Sequence, residues 1–341
     1  MQQSITLEEK SLSKLRGKTN LLAFSGGADS SALFFLLLKH KIQFDIAIVD
    51  YGVREQSKQE VAYAMELAKT HHLKCFVHNA PKIEKNFEAR AREIRYAFFE
   101  ELIQKYGYEN LLTAHHLGDR FEWLLMQFCK GAGCVELAGM QVLQKRGFYT
   151  IVRPLLHLDK AELLVYLHAN EKIYFEDKTN LDEDIKRNSF RHNYTLGLLE
   201  KYLSGIKKSF EYIDDDREKL VQEIEIEKID TFAFFKSLQN QRTDIFAIDQ
   251  YLKSKGYMLS ASEREFLKEK KTVVVGRKFV VNRDERGFIF IVPYIKDKEN
   301  MPHSFKEVCR VLKIEPKLRY YLYINEKAFA KVKELLAFST I

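Results

Sequence analysis

From Asn20 to Pro154 short apolar runs alternate with longer stretches of helical period, and few folds accommodate that rhythm. Leu21–Phe24, Phe44–Val49, Leu73–Val77, Leu111–Ala114 and Phe148–Val152 read as strands. Between them Ser31–His40, Lys58–His71, Phe87–Tyr106 and Gly118–Cys129 read as helices, and another starts near Asp159. Strands that are apolar on both faces and separated by helices imply a parallel sheet with right-handed crossovers. The expected fold class is α/β, a parallel sheet flanked by helices.

The character changes after about residue 195. Lys201–Ile229 is highly charged and reads as a helix, with the acidic run Asp214-Asp215-Asp216 as a solvated face. Phe232–Lys253 also reads as helical. Thr272–Val275 and Phe279–Val281 read as paired strands, followed by Gly287–Val292, and a last helix spans Glu326–Phe338. There is no internal repeat, low-complexity tract or Pro/Gly-rich linker. The change of pattern alone divides the chain into residues 1–200 and a mainly helical region, 201–341, carrying a small β element near 272–292.

A chain of 341 residues, 46% hydrophobic and 30% charged, is ordinary for a globular protein with ample core. The net charge of +7 suits a polyanionic partner without requiring one. The four cysteines make no Cys-x-x-Cys pair and no zinc spacing, so free thiols in a reducing compartment are expected. Met1–Lys18 lacks the apolar core of a signal peptide, and the longest apolar run, Ala32–Leu38, is too short to span a bilayer. A cytoplasmic location, away from membranes, is the expectation.

Ser25-Gly26-Gly27-Ala28-Asp29-Ser30 lies directly between the first strand and the first helix. Two glycines let the backbone turn sharply and approach a ligand. Successive N–H groups, the Ser25 and Ser30 hydroxyls and the helix N-terminus all favour an anion. Asp29 would repel phosphates unless a cation intervenes, and Mg²⁺ bridging Asp29 to a nucleotide's phosphates resolves that conflict. The string is neither a Walker loop nor a dinucleotide fingerprint. At the end of the second strand Asp50 could accept from a nucleotide and Arg54 could meet phosphate, or both could be ordinary turn residues.

His115-His116-Leu117-Gly118-Asp119-Arg120-Phe121-Glu122-Trp123 follows the fourth strand. Asp119 and Glu122, three apart, share one helix face. Such a pair could hold magnesium, orient an ammonium nucleophile or accept its protons. Arg92, Arg95 and Tyr96 fall near one face of the Phe87–Tyr106 helix, which contact with substrate or a plain basic outer stripe would explain equally.

The loop resembles that of the N-type ATP pyrophosphatases, or PP-loop enzymes, which split ATP between its α and β phosphates. Read in order with Asn86–Tyr96, His115-His116-x-x-Asp119-x-x-Glu122, Arg153-Pro154-Leu155-Leu156, Asp177-x-Thr179-Asn180 and Arg187-Asn188-Ser189-Phe190-Arg191-His192, it is similar to the tRNA(Ile)-lysidine synthetase family. The likeness covers roughly residues 18–195, with similarity in outline to about 293. Three positions depart from the family's pattern. Gly118 replaces the first of two adjacent acids, Trp123 stands where Thr is usual, and Tyr51 where His is usual.

The resemblance implies a fold like the adenine nucleotide α hydrolases, and a ligase whose substrates are ATP, free L-lysine and the isoleucine tRNA with a CAU anticodon. The wobble cytidine's C2 oxygen attacks the α-phosphate and pyrophosphate leaves. The lysine ε-amine then displaces AMP to give lysidine. Carried onto this sequence, Ser25, Gly26, Gly27, Ala28, Asp29, Ser30 and Asp50 bind ATP, with Asp29 also on magnesium. Asp119 and Glu122 orient the amine and take its proton, and Arg92 or Arg95 absorbs charge growing on pyrophosphate. Arg95, His115, Arg153, Asp177, Arg187, Asn188 and Arg191 contact lysine or RNA, and the region 201–341 contacts the tRNA. The likeness leaves monomer and homodimer open.

A base thiolase of the same superfamily also adenylates tRNA, but commonly needs a Cys-x-x-Cys pair that this chain lacks. Small-molecule ligases with this loop usually bring a dedicated synthetase or glutamine-hydrolysing domain, and none is legible here. A catalytically inert RNA-binding relative would keep the basic residues and lose the chemistry. The complete loop and the Asp119 and Glu122 pair weigh against it.

Overall fold

In the computed structural model, residues 5–52, 56–176, 186–222, 224–296 and 299–337 are described. Two compact units emerge, Met1–Asp215 and Asp216–Ile341, dividing later than the expected 200.

The first unit is built on a six-stranded sheet. Its strands are β1 (Asn20–Ala23), β2 (Asp45–Asp50), β3 (Cys75–Asn79), β4 (Asn110–Leu112), β5 (Leu143–Arg146) and β6 (Tyr149–Val152), in the order β3-β2-β1-β4-β6-β5. Every pairing is parallel except that of β5 with β6. Sequence periodicity missed β5, a short polar strand returned by a turn at Gly147. The central strands are apolar on both sides because helices cover both faces, and Leu21, Leu22, Leu111 and Leu112 are fully buried. The outer strand β3 is only half-buried, so burial on both faces holds for the middle of the sheet and not its edges.

The helices of this unit are α1 (Glu9–Leu15), α2 (Ala28–Lys39), α3 (Gln56–Thr70), α4 (Phe87–Tyr106), α5 (Leu117–Phe128), α6 (Cys134–Leu137), α7 (Lys160–Ala169), α8 (Lys186–Phe190) and α9 (Leu196–Leu220), the last running into the second unit. Between α8 and α9 the turn Arg191–Thr195 widens to π geometry. α9 packs Leu199, Leu203, Ile206, Phe210 and Ile213 onto Leu117, Phe121, Leu124 and Leu125 of α5. The strand order reverses between β1 and β4, so the crevice beyond their carboxyl ends is where an open α/β sheet takes a ligand.

The second unit is an antiparallel sheet of β7 (Glu227–Ile229), β8 (Phe232–Lys236), β9 (Thr272–Val275), β10 (Phe279–Arg283) and β11 (Phe288–Pro293), in the order β7-β8-β11-β10-β9. Helices α10 (Gln241–Ser254) and α11 (Ala261–Glu269) supply Ile245, Ile248, Leu252 and Leu267 to the core containing Ala233, Phe235 and Ile291. Helices α12 (His303–Val311), α13 (Pro316–Ile324) and α14 (Glu326–Ala337) supply Cys309, Leu318, Leu322 and Val332 to the core containing Phe232, Phe234 and Phe290.

Two expectations are corrected here. The helix from Lys201 ends at Leu220, and Glu227–Ile229 is a strand. Phe232–Lys253 is not one helix, because Phe232–Lys236 is a strand preceding α10. Both faces of that strand are buried, so its letters form an unbroken apolar run without the alternation that reveals a strand. The strands expected at 272–292 are part of the same five-stranded sheet.

Candidate active site

The loop after β1 is folded tightly on itself. Gly26 takes φ +75°, a conformation that L side chains rarely adopt, and an added Cβ would lie 3.3 Å from the Phe175 ring. Phe175 donates its N–H to Gly26 O at 2.9 Å, tying the loop to the chain after α7. The Ser30 hydroxyl donates to Gly27 O at 3.1 Å and accepts from Ser25 N at 3.2 Å, while the Ser25 hydroxyl lies 3.1 Å away. Gly27 is the N-cap of α2 and has no side chain to satisfy the first helical N–H groups. The helix start thus faces the crevice with open donors, as an anion requires. Asp29 sits in that first turn, and its Oδ1 is buried without a hydrogen-bond partner among the described residues.

On the other side of the crevice the chain leaves β4 through Thr113, His115 and His116. His116 caps α5. Its Nδ1 accepts from Gly118 N at 3.0 Å, and the Asp119 carboxylate accepts from His116 N at 3.0 Å. A side chain at residue 118 would put its Cβ 2.7 Å from the His116 ring, so the glycine lets the imidazole fold over the helix end. His116 Nε2 then lies 3.9 Å from Asp29 Oδ2 and 3.6 Å from Asp119 Oδ2.

The acid pair is not free. Arg187 donates from Nη2 to Asp119 Oδ1 at 2.6 Å and from Nε to Glu122 Oε2 at 2.8 Å. Arg191 donates from Nε to Glu122 Oε1 and from Nη2 to Asp119 Oδ1 at 3.4 Å. Two arginines one helical turn apart therefore clamp two carboxylates three apart on α5. Glu122 is 1% exposed, Asp119 9%, and the Arg187 side chain 37%. Burial pushes the Asp119 carboxyl up, but His116, Arg187, His115 and the His116 N–H outweigh it and hold the group well below the usual carboxylate range. Burial likewise works against the Arg187 charge, and Asp119 and Glu122 reverse that, leaving its pKa raised. Each oxygen of the acid pair already accepts from a protein donor.

His115 turns the other way, its Nδ1 2.9 Å from the Thr113 hydroxyl. Burial lowers its pKa to about 4, with Asp119 opposing and Arg153, Arg187 and Arg92 reinforcing the shift, so the ring is neutral near pH 7. Arg92 and Arg95 are exposed on α4, and the Arg92 guanidinium lies over the Tyr96 ring, 4.8 Å from its centre. Asp50 accepts from Gly52 N at 2.8 Å in the turn after β2. Asn188 is buried in α8.

Arg153 does not join the crevice as a free cation. It is 4% exposed and donates to Gln141 O and Gln144 Oε1, each at 2.8 Å, which fixes the β5 hairpin. The acidic run is corrected too. Asp214 binds buried Arg120, which also donates to Ala138 O, so this acid closes a tertiary brace between α5 and α9. Arg54, Asp177, Thr179 and Asn180 lie outside the described residues.

The other two departures from the family's pattern also pack locally. The Tyr51 hydroxyl donates to Ala91 O at 3.0 Å, and its ring meets Phe87 edge-on. Trp123 donates from Nε1 to Glu136 O at 3.2 Å and lies against Gly139, where a Cβ would come within 2.4 Å of the indole. Sequence reading passed over Phe175, which carries no motif, and His116, whose motif was visible but whose bridging place was not.

Among the described residues no three His, Cys, Asp or Glu side chains form a metal cluster, and no helix is long and apolar enough to cross a membrane. Residues 2–196 match the family model for the PP-loop domain. A tRNA(Ile)-lysidine synthase of Helicobacter pylori is 44% identical over 92% of this chain and 91% of its own. One from Wolinella succinogenes is 42% identical over 94% and 97%. Among solved structures, a U34-tRNA thiolase from Methanococcus maripaludis with its [4Fe-4S] cluster superposes with a TM-score of 0.52 at 16% identity. It covers 62% of this chain and 75% of that one, a likeness of fold. The first unit's sheet and loop, and identity sustained over nearly the whole length of these relatives, make the chain a member of the tRNA(Ile)-lysidine synthase family.

Proposed function

We propose that this chain is a cytoplasmic ligase that uses ATP to join free L-lysine to C2 of the wobble cytidine of tRNA(Ile), releasing AMP and pyrophosphate. The observation that carries the reading is the orphaned Asp29 Oδ1 in the helix-terminal loop, facing the acid–arginine cluster through His116.

The loop takes the triphosphate. Backbone N–H groups at the start of α2 and the Ser25 and Ser30 hydroxyls hold its oxygens, and Gly26 lets the chain come close. A buried carboxylate oxygen with no donor among the described residues suits a magnesium ion, which keeps waters and phosphates as its other ligands. Bound there, the ion would neutralise phosphate charge. The cytidine O2 attacks the α-phosphorus as the bond to pyrophosphate breaks. The protein's part is mainly to position the groups and to meet the growing charge, with Arg92 the candidate for pyrophosphate.

The lysine ε-amine then attacks C2, AMP departs, and the nitrogen gives up its proton. Lysine arrives as an ammonium ion with no lone pair, so a carboxylate must hold it and take one proton before the attack, ahead of the proton lost as AMP departs. Asp119 and Glu122 fill this role by exchange. Arg187, the more exposed of the two guanidiniums, turns away and yields its carboxylate contacts to the ammonium. Its freed fork then suits the lysine carboxylate. Arg191 stays on Glu122 and keeps the buried acid paired. Neutral His115 is the candidate to contact the base.

The test is mass spectrometry of nucleosides from a tRNA(Ile) transcript incubated with the protein, ATP and lysine. A cytidine heavier by lysine less one water is expected. A sulfur-for-oxygen exchange, or no change with active ATP and intact tRNA, would overturn the reading.

A further inference from the structure

The run that carries Arg187 and Arg191 continues as α9, and its outer flank is unusual for a solvated helix. Tyr194 is 55% exposed, Leu198 37%, Tyr202 60% and Tyr212 60%. None of these side chains belongs to the Leu199, Leu203, Ile206 and Phe210 seam that packs on α5. Between Tyr202 and Tyr212 the chain carries the small exposed residues Gly205 and Ser209. Lys201 and Lys208 project beside them, both exposed, and Lys208 Nζ stands 4.8 Å from the centre of the Tyr212 ring. The backbone is irregular here too, π-wound over Arg191–Thr195 and non-helical at Tyr202.

Packing does not explain four large apolar side chains in water on a helix whose buried seam is already complete. We propose that this flank of α9 is a stacking track for unpaired bases of the tRNA substrate, leading away from the acid–arginine cluster. The inference rests on the reading of the chain as a tRNA-modifying ligase. Three features select RNA as the occupant. The track is continuous with the site, since Tyr194 follows Arg191 by three residues and stacks edge-on with Phe190. Its aromatic rings alternate with lysines, pairing stacking surfaces with backbone charge as single-stranded RNA requires. It ends where the exposed Asp215 and Asp216 would repel phosphate. Lys208 is paired with Glu211 at 2.6 Å and exchanges that partner for phosphate, while Lys201 lies nearer the site.

The test measures binding of a tRNA(Ile) transcript to the full chain over a range of salt, with lysidine formation followed in parallel. Tyr194→Ala and Tyr202→Ala should each weaken binding about 5- to 150-fold, the range for loss of one stacked base, with the salt dependence unchanged. Tyr202→Trp, which keeps a ring, should bind as wild type. Lys201→Ala should lower the salt slope by about one. Wild-type affinity in both alanine variants, while the wild-type protein makes lysidine, would overturn the track and leave the ligase reading standing. A changed oligomeric state with unchanged tRNA affinity would assign the flank to protein contact and overturn it equally. Absence of lysidine from the wild-type reaction would remove the reading underneath and the track with it.

Discussion

Asp29 Oδ2 and His116 Nε2 lie 3.9 Å apart across the crevice between the ends of β1 and β4. That approach joins the two halves of the site, because His116 also reaches Asp119 at 3.6 Å. An imidazole between two carboxylates keeps like charges apart while leaving Asp29 Oδ1 without a donor among the described residues. Asp29, proposed to serve the nucleotide, is thereby distinct from the carboxylate bonded to arginine.

Asp29→Ala should therefore abolish the chemistry on ATP and little else. Pyrophosphate release in the presence of tRNA(Ile) should fall by about 10²-fold or more, the scale for losing one group that stabilises transition-state charge. tRNA affinity should stay within about twofold of wild type, since phosphate contacts spread over the RNA surface set it. Release at the wild-type rate would remove Asp29 from the mechanism.

Glu122 is buried and holds both arginines, so its charge matters to the fold and, on the proposed mechanism, to lysine. Glu122→Gln keeps the shape and leaves two guanidiniums with one acid. Breaking a buried pair in this way costs about 3 kcal/mol, readable in urea unfolding. The KM for lysine should rise more than that for ATP. A variant of wild-type stability that also saturates normally with lysine would show that the cluster is decoration.

Arg120 and Asp214, 94 residues apart, brace α5 against α9. Arg120 is 4% exposed and also donates to Ala138 O, whereas the Asp214 side chain is 31% exposed. The two single losses should differ accordingly. Asp214→Ala leaves a buried guanidinium short of its acid and should destabilise by about 3 kcal/mol, while Arg120→Ala also removes a guanidinium stacked over the Phe210 ring and should cost more. A double-mutant cycle should give a coupling of about 1–3 kcal/mol, and additive effects would deny the brace.

Much of this was legible in the letters, unevenly. The β1–loop–α2 unit and the limits of α4 follow from local pattern, because glycines, caps and period are read within a dozen residues. Phe232–Lys236 was hidden by burial on both faces, which erases alternation. The acid pair shows the deeper limit. Asp119, Glu122, Arg187 and Arg191 were all candidates, but their clamp spans 65 or more residues, and no local signal says that a carboxylate is already spent on an arginine. Asp214 was hidden in the same way, since an acid in a charged helix looks solvated until its partner is known. Arg153 is the converse case, a motif arginine whose forks are used to hold a hairpin.

His115 offers a test through pH. Its pKa is lowered to about 4 from an ordinary 6.5, chiefly by burial. An unfolded chain takes up this proton as pH falls below 6.5, and the folded chain only near 4. Between those values the unfolded state binds more protons, so stability rises with pH across that window. The contribution is complete above 6.5 and is lost toward 4, on the order of 3 kcal/mol in all. Asp119, held below the usual carboxylate range, adds stability that persists through this window and disappears only in stronger acid. His115→Gln keeps a partner for the Thr113 hydroxyl and cannot titrate. The difference in urea-unfolding free energy between wild type and variant should therefore slope with pH from about 6.5 to 4 and be flat above. A difference that stays flat throughout would mean that the folded imidazole accepts its proton as readily as a free one, and the neutral ring assigned to the base would be lost with it.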